Sequence, residues 1–344
     1  MTNPQAPGWR ELPKSLLHEH LDGGLRPATL LELCRSRSIP VPADTPEDLG
    51  RWMHDNANAG SLEHYLRGFA ITIHAMATPE ACERVAFEAA EDAADDGCVI
   101  AEFRMAPLLF EPHGFAGEPA MEAMLAGLAR SRLRCGLIVC GMRTENPDDS
   151  LRAAKLAIAY RDHGVVGFDL AGAEKYYPPR DHAAAMALAR EARIPLTCHA
   201  GESDRGERVL EAGELGATRI GHGIHIVIGD TPEQTRGWVE RAREMRLHFE
   251  VCPSSNIHTG AVRSLREHPI RAMVAAGLSV SCSTDNRLMS GVTLSGELQA
   301  LHEEAGFTRA TLGELMRAGA RASFLPRADR EAALASIESG WNLS

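Results

Sequence analysis

The chain has 344 residues, of which 44% are hydrophobic, and it carries a formal net charge of -11. Such a chain buries a large core, so we expect a soluble globular protein. Lys and Arg are not clustered, and the acidic balance excludes nucleic acid and anionic membranes as expected partners. The absence of an apolar leader or spanning stretch predicts a cytoplasmic protein.

Short apolar runs, too brief for helices, recur along the chain. They predict eight buried strands, at residues 14–20, 98–107, 134–143, 165–172, 195–202, 218–223, 247–256 and 278–286. Helix-like segments lie between them. The clearest has Thr78 as N-cap and Pro79 at its first helical position, and it ends before Gly97. Residues 181–193 repeat the helical pattern.

The alternation of strand and helix favours one α/β architecture, a parallel (β/α)8 TIM barrel. A doubly wound sheet is less favoured, because it would leave two edges to protect. No linker or repeat divides the chain, so residues 1–344 are expected to form a single hydrolase domain.

The connection between the first two strands is much longer than the usual βα loop of about 2–6 residues. We expect a helical insertion or lid at residues 26–77. One helix of this insertion, at residues 60–76, has an apolar face that either packs on the barrel or closes over a substrate. That face consists of Leu62, Tyr65, Leu66, Phe69 and Ile73.

The eight cysteines include no CxxC pair, and most of them lie inside apolar runs. Isolated cysteines in strands mostly behave as small hydrophobic residues. We therefore expect buried, reduced thiols and no disulfide framework.

Polar residues end four of the predicted strands. The first strand ends in HEH at residues 18–20, the fifth in HAGE at 199–202, the sixth in GHG at 221–223 and the eighth in TDN at 284–286. The carboxyl ends of all strands in a parallel barrel meet at one rim, so these side chains are expected to converge there.

Three histidines and one aspartate in these strand ends form a plausible metal-binding set. His18 and His20 are two residues apart on a strand and point to the same side, where His199 and Asp285 can join them. Three imidazoles and a carboxylate suit Zn²⁺, and less exclusively Fe²⁺, Mn²⁺ or Co²⁺. Each histidine alone also fits an ordinary hydrogen-bonded side chain. Burial of all four side chains without partners would cost several kcal/mol of stability, and one bound cation would interact favourably with several of them.

Glu202 and His222 are free to act beside such a metal. Glu202 lies three residues beyond His199, where it can reach a substrate without binding the metal. Enclosure in an apolar pocket raises the pKa of a carboxyl, so Glu202 can donate a proton near neutral pH. His222 can hold the attacking water by a hydrogen bond.

Six segments carry a family resemblance: LLHEHLDGGLRP, VVGFDLAGAE, HAGE, RIGHG, CPSSN and STDNRLMS. In their order and spacing, the chain resembles the adenosine and AMP deaminases of the amidohydrolase superfamily over nearly its whole length, and actinobacterial adenosine deaminases most of all. Many relatives with HxH in the first strand bind two metals through a carboxylated lysine that ends the fourth strand. Here that end reads DLAG at residues 169–172, so one metal is predicted.

The resemblance implies a mechanism as well as a metal. Its zinc ligands would be His18, His20, His199 and Asp285, and the bound water would lose a proton near neutrality and attack purine C6. Glu202 would protonate N1, while His222 and Asp285 orient the nucleophile and handle its proton. Ammonia would leave, and inosine would form.

The resemblance also implies substrate contacts. Asp22 would bind the ribose 5′-hydroxyl, the Gly172 amide would bind purine N3, and His20 and Asn286 would complete the contact set. From the residues alone, HLDG also fits a turn at a strand end, and Gly172 a simple helix-entry residue. Ser254, Ser255 and Asn256 of CPSSN would support the site from behind.

Two departures from the family pattern bear on substrate choice. Many family members have a second aspartate where this chain has Asn286. An asparagine amide donates to the acceptor N7 at any pH, so the same contact is expected. In the MRTENP segment at 142–147, close relatives tend to have histidine after Met-Arg. If that loop lines the ribose, an altered sugar or a modified nucleoside becomes a possible substrate.

The leading interpretation is hydrolytic deamination of adenosine and 2′-deoxyadenosine in purine salvage. The alternatives are a deaminase of adenine or of a modified adenosine, which Asp22 disfavours because a 5′-hydroxyl ligand suits neither the free base nor a bulky 5′ substituent. A different class is an inactive nucleoside-binding barrel. A structural zinc usually has four protein ligands and no spare acid, so Glu202 and His222 argue against that class. No particular oligomeric state is predicted.

Overall fold

The computed structural model describes residues 8–58 and 62–343, apart from the side chains of residues 62–66. The eight predicted strands are confirmed, and β5 to β8 are shorter than expected, with four residues each. The strands are β1 Lys14–His20, β2 Cys98–Met105, β3 Cys135–Met142, β4 Val165–Ala171, β5 Thr197–Ala200, β6 Arg219–His222, β7 His248–Val251 and β8 Ser279–Cys282.

The strands form two four-stranded parallel sheets, β1-β2-β3-β4 and β5-β6-β7-β8, that meet along two seams. A parallel bridge pairs Phe168 with Leu196 at the first seam, and another pairs Glu19 with Asp285 at the second. At the second seam, the His20 amide donates to the Asp285 carbonyl (2.8 Å), and the Asp285 amide donates to the His18 carbonyl (2.9 Å). The predicted (β/α)8 barrel is confirmed, and its second seam brings three predicted site residues together.

Helices surround the barrel, and none in the described part of the chain is both long and apolar enough to cross a membrane. They are α1 Pro27–Ser36, α2 Pro46–Ala57, α3 Leu62–Met76, α4 Pro79–Asp95, α5 Gly117–Ala129, α6 Pro147–Ala159, α7 Ala183–Glu191, α8 Gly206–Glu214, α9 Pro232–Glu244, α10 Pro253–His258, α11 Ile270–Ala275, α12 Arg287–Ser290, α13 Leu294–Glu303, α14 Arg309–Ala322 and α15 Arg327–Gly340.

Helix α4 begins as its sequence predicts. The Thr78 hydroxyl accepts a hydrogen bond from the Ala81 amide (3.2 Å), which satisfies one of the free amides of the first turn. Helix α7 begins two residues later than expected, because a 3-10 turn at Pro179–His182 precedes it.

Helices α1, α2 and α3 lie within the predicted insertion at residues 26–77. Phe69 and Ile73 of α3 are partly buried and pack against the main core. The side chains of Leu62, Tyr65 and Leu66, from the same predicted face, lie outside the described residues. Helix α2 contacts α12, which begins just after the TDN segment at residues 284–286. That this insertion moves as a lid stays a prediction.

The eight cysteines are all free, and seven of them are buried. Burial raises the pKa of several, that of Cys82 to about 12. These thiols therefore stay protonated near neutral pH and behave as small hydrophobic residues, as the sequence predicted.

Candidate active site

Four side chains converge at the carboxyl ends of the barrel strands. They are His18, His20, His199 and Asp285, here called the metal cluster, and each offers one ligand atom within 4.8 Å of the others. The Nε2 atoms of His20 and His199 are 3.2 Å apart. Asp285 Oδ1 lies 3.5 Å from Nε2 of both His18 and His20. The predicted convergence of strands one, five and eight therefore occurs.

The metal cluster fits a divalent cation. Two ligands of one zinc ion, each about 2.0–2.2 Å from it, lie roughly 3–3.5 Å from each other, close to the spacings in the cluster. Nε2 of His18 is buried and makes no hydrogen bond within the described chain, although such atoms nearly always have a partner. Burial lowers the pKa of His20 and of His199, so both imidazoles are neutral and able to bind a metal.

Two buried carboxylates hold the cluster histidines from behind. His18 Nδ1 lies 3.0 Å from Glu250 Oε2, and His199 Nδ1 lies 3.0 Å from Asp169 Oδ2. An Nδ1–H that donates to a carboxylate leaves Nε2 free for a metal. Arg104 joins the two carboxylates, donating to Asp169 (3.0 Å) and to Glu250 (2.6 Å). Burial opposes ionisation of both, but nearby basic groups lower the pKa of Asp169 and of Glu250.

Sequence reasoning missed Arg104 and Glu250, and it considered Asp169 only as a residue that is not lysine. A signal was available, because Glu102 and Arg104 are two residues apart within an otherwise apolar strand and so point to the same side. Charges in a buried strand require partners from other strands. That the site binds one metal rests on the absence of lysine from the end of β4 and stays a prediction.

The carboxyl of Glu202 lies beside the metal cluster, on the loop between β5 and α8. Its Oε1 accepts hydrogen bonds from the Thr259 hydroxyl (3.2 Å) and the Asn256 amide (3.5 Å), and Oε2 lies 3.7 Å from His222 Nε2. Burial raises the pKa of Glu202 to about 8, and the negative charge of Asp285 contributes. The protonated carboxyl is therefore available as a donor at neutral pH.

The imidazole of His222 faces the same space. Burial lowers its pKa well below the usual value, so the ring is neutral. The Asn256 amide donates to His222 Nδ1 (3.0 Å), and Asn256 Oδ1 faces His268 Nε2 (3.3 Å). This network assigns the His222 proton to Nε2, on the side of Glu202. His222 and Asp285 both have left-handed backbones, with φ of 61° and 62°.

The CPSSN segment supports the site through helix α10. The Ser255 hydroxyl donates to Asp285 Oδ2 (2.6 Å), and Asn256 contacts both His222 and Glu202. The Ser254 amide instead donates to Glu297, behind the segment. Ser255 and Asn256 thus orient three of the predicted site residues directly.

Of the four predicted substrate contacts, His20 belongs to the metal cluster, and the other three lie at the ends of strands one, four and eight. Asp22 is buried, its Oδ1 has no hydrogen-bond partner within the described chain, and burial raises its pKa to about 7. Gly172 has φ of +97°, a conformation that glycine adopts readily. Asn286 is buried against Gly23, where a Cβ would lie 1.9 Å from the Asn286 Oδ1 atom.

The MRTENP segment follows β3 and supports the site through Arg143. This side chain is 1% exposed, and its Nη2 donates to the carbonyls of Leu170 (3.0 Å) and His199. Thr144, which stands where close relatives were expected to have histidine, is exposed. The segment therefore holds the end of β5 through Arg143. The residue that departs from the family pattern, Thr144, is a surface side chain.

The chain is similar over nearly its whole length to known deaminases. A family model described as adenosine deaminase matches residues 13–339. Adenosine deaminases of Mycobacterium avium and Mycobacteroides abscessus are 38% and 40% identical to the chain, and each match covers 95% of this chain and 94% of the relative. Among solved structures, an adenine deaminase from Arthrobacter aurescens matches with a TM-score of 0.87 and 25% identity, covering 97% of this chain and 100% of that one.

Proposed function

This chain belongs to the adenosine deaminase family, and we propose that it deaminates adenosine and 2′-deoxyadenosine with one zinc ion held by the metal cluster. The hydrolysis converts adenosine and water into inosine and ammonia. Three imidazoles and one carboxylate suit zinc better than hard cations such as Mg²⁺ or Ca²⁺. When bound, zinc supplies Lewis acidity that makes water nucleophilic near neutral pH.

The chain's own residues prepare the purine ring for attack. Glu202 donates a proton to purine N1, which draws electrons from C6 and makes that carbon more electrophilic. The raised pKa of Glu202 keeps this proton available at neutral pH. His222 donates an Nε2–H hydrogen bond to the attacking water, and Asp285 accepts a proton from it. Glu202 Oε2 and His222 Nε2 are 3.7 Å apart. This distance suits a carboxyl that contacts N1 and an imidazole that contacts the water beside the neighbouring C6.

The observation that carries the proposal is a protonated carboxyl directly beside a metal cluster. A zinc ion with a purely structural role has no use for an adjacent acid. In this chain, Glu202 and His222 lie next to the metal cluster, and their side chains contact Thr259, Asn256 and each other rather than its members. This arrangement favours turnover over the alternative of an inactive nucleoside-binding barrel.

The expected contacts with the nucleoside come from three strand ends. Asp22 binds the ribose 5′-hydroxyl through its unpartnered Oδ1, the Gly172 amide binds N3, and the Asn286 amide donates to N7. A buried acceptor without a partner is costly, and a sugar hydroxyl satisfies it. This contact supports a nucleoside rather than free adenine as the substrate.

We further propose a cytoplasmic enzyme of purine salvage that acts on a small molecule and needs neither nucleic acid nor a membrane. The eight free cysteines support a reducing compartment, since oxidising compartments favour disulfides. The net charge of -11 disfavours a polyanionic partner.

A substrate panel tests the proposed function. Purified protein is given adenosine, 2′-deoxyadenosine, adenine or 5′-deoxyadenosine, and the ultraviolet change that accompanies loss of the 6-amino group is followed with and without a zinc chelator. We expect rapid turnover of the first two compounds, loss of activity with chelator, and recovery when Zn²⁺ is added back. Adenine is included because it is the substrate named for the Arthrobacter aurescens structure.

The panel separates the alternatives. Turnover of adenine with none of adenosine would contradict the nucleoside assignment and remove Asp22 from substrate binding. No turnover of any compound by zinc-loaded protein would contradict the enzyme and favour the inactive barrel. Activity that survives complete removal of the metal would contradict the zinc proposal.

Replacement of Asp22 with Ala tests the sugar contact. A hydrogen bond to a charged group contributes about 1.5–3 kcal/mol, so we expect kcat/KM for adenosine to fall roughly 10–100-fold. The variant and the wild type are expected to use 5′-deoxyadenosine equally well, because that substrate lacks the hydroxyl. The exposed Asp44→Ala is a matched control. Equal losses with both substrates would show that Asp22 does not act through the 5′-hydroxyl.

A further inference from the structure

Glu174 has the most unusual hydrogen-bonding of the described carboxylates near the site. Its side chain accepts four consecutive backbone amides, Gly201 through Oε1 at 2.5 Å and Glu202, Ser203 and Asp204 through Oε2 at 3.0, 3.0 and 3.1 Å. Glu174 is only 3% exposed. Successive amides that point into one concavity form an anion-binding nest, and here a side chain of the same chain fills it.

These bonds fix the backbone that carries the proposed acid. Bonds from amides to an ionised carboxylate are stronger than neutral ones, and burial strengthens them further. The Glu202 side chain itself is held more loosely, with contacts of 3.2 Å to Thr259, 3.5 Å to Asn256 and 3.7 Å to His222. The position of its carboxyl therefore depends mainly on the backbone that Glu174 holds.

Glu174 also connects two of the proposed purine contacts. It lies two residues after Gly172, whose amide is the proposed donor to N3. N1 and N3 belong to the same six-membered ring, on either side of C2. One short segment at residues 172–174 thus carries the N3 contact at one end and the anchor of the Glu202 loop at the other.

We propose that Glu174 is a positioning residue for the deamination, which fixes the Glu202 loop so that its carboxyl meets N1 while the Gly172 amide meets N3. The inference rests on the proposed function. Glu174 touches neither the substrate nor the metal in this role, and it acts through the backbone of residues 201–204. A displacement of about 1 Å in a catalytic group can lower a rate by about 10²-fold, so the effect on turnover should be large.

The test compares wild type, Glu174→Gln, Glu202→Gln and the double variant, with adenosine as substrate. In Glu174→Gln an NH₂ group replaces one of the two oxygens and faces either the Gly201 amide or the amides of residues 202–204, from which it cannot accept, so the loop must shift. We expect kcat to fall roughly 10–10²-fold with KM and zinc content little changed. The double variant should be no slower than Glu202→Gln alone, because the effect passes through Glu202.

The pH profile gives a readout that a merely structural role would not move. The negative charge of Glu174 contributes to the raised pKa of Glu202, after burial and Asp285. Its removal should lower that pKa, so the alkaline fall of kcat/KM should begin at lower pH in Glu174→Gln. Glu174→Asp keeps the charge on a shorter side chain, so it should lower kcat while the alkaline fall stays near its wild-type pH.

Several outcomes would overturn the inference. Unchanged kcat in Glu174→Gln would do so, and so would a further loss of activity when this change is added to Glu202→Gln. The exposed Glu191→Gln is the matched control and should behave as wild type. If Glu174→Gln does not fold by circular dichroism, Glu174→Asp takes its place in the cycle with the same criteria. Wild-type protein that fails to deaminate adenosine would overturn the proposed function itself, which distinguishes the two failures.

Discussion

Replacing Glu202 with Gln is expected to lower kcat for adenosine by about 10²–10⁴-fold, the usual contribution of a general acid. Glutamine fills the same space and keeps the contact with the Thr259 hydroxyl through its amide oxygen, but it has no acidic proton for N1. The metal cluster does not include Glu202, so zinc content measured by atomic absorption should equal that of wild type. Steady-state kinetics with adenosine and the metal assay together check this result.

The pH dependence of the same variant provides a second check. In the proposed mechanism Glu202 acts in its protonated form, and burial raises its pKa to about 8. Wild-type kcat/KM should therefore be full below that pKa and fall as pH rises through it, whereas the residual activity of Glu202→Gln should lack this fall. The exposed Glu207→Gln, on the following helix, serves as control. Unchanged kcat in Glu202→Gln would show that Glu202 does not donate the proton to N1.

Replacing Asp285 with Asn is expected to remove both zinc and activity. The change deletes the one negative charge of the metal cluster at nearly constant shape, and asparagine tolerates the left-handed backbone at φ 62°. Loss of a Lewis acid worth several kcal/mol corresponds to a fall in kcat/KM of at least about 10³-fold. Metal content after gel filtration and turnover of adenosine measure the two effects.

The control for this change is Asp162→Asn, because the Asp162 side chain is 86% exposed and lies outside the metal cluster. It should retain full zinc and activity. Full zinc occupancy in Asp285→Asn would contradict the proposed ligand set, whereas normal activity would exclude Asp285 from both of its proposed roles.

The sequence predicted those features that depend on a short pattern within one strand. Apolar runs predicted all eight strands. His18 and His20, two residues apart at the end of the first strand, indicated a metal site at the carboxyl ends of the strands. The later strands are shorter than predicted partly because the polar residues after them, such as Gly201 and Glu202 after β5, belong to site loops rather than to the sheet. Parallel closure then explains why Asp285 reaches His18 across more than 260 intervening positions.

The supporting residues were harder to predict, because their partners are backbone groups or distant strands. Glu174 binds backbone amides, which every residue except proline has, so its partners cannot be recognised in the sequence. Arg104 lies between Asp169 and Glu250, and only the closed barrel brings these three together. Thr144 shows the opposite case, since a departure from the expected family pattern lies on the surface.

The left-handed backbones of His222 and Asp285 have a consequence for the evolution of this barrel. A non-glycine residue in this conformation costs roughly 1–2 kcal/mol, so both positions hold free energy that glycine would release. Selection for thermal stability alone would therefore favour glycine at these two strand ends. We therefore expect the imidazole and the carboxylate to be kept for the site that they form, and to be lost in a lineage that no longer needs the reaction.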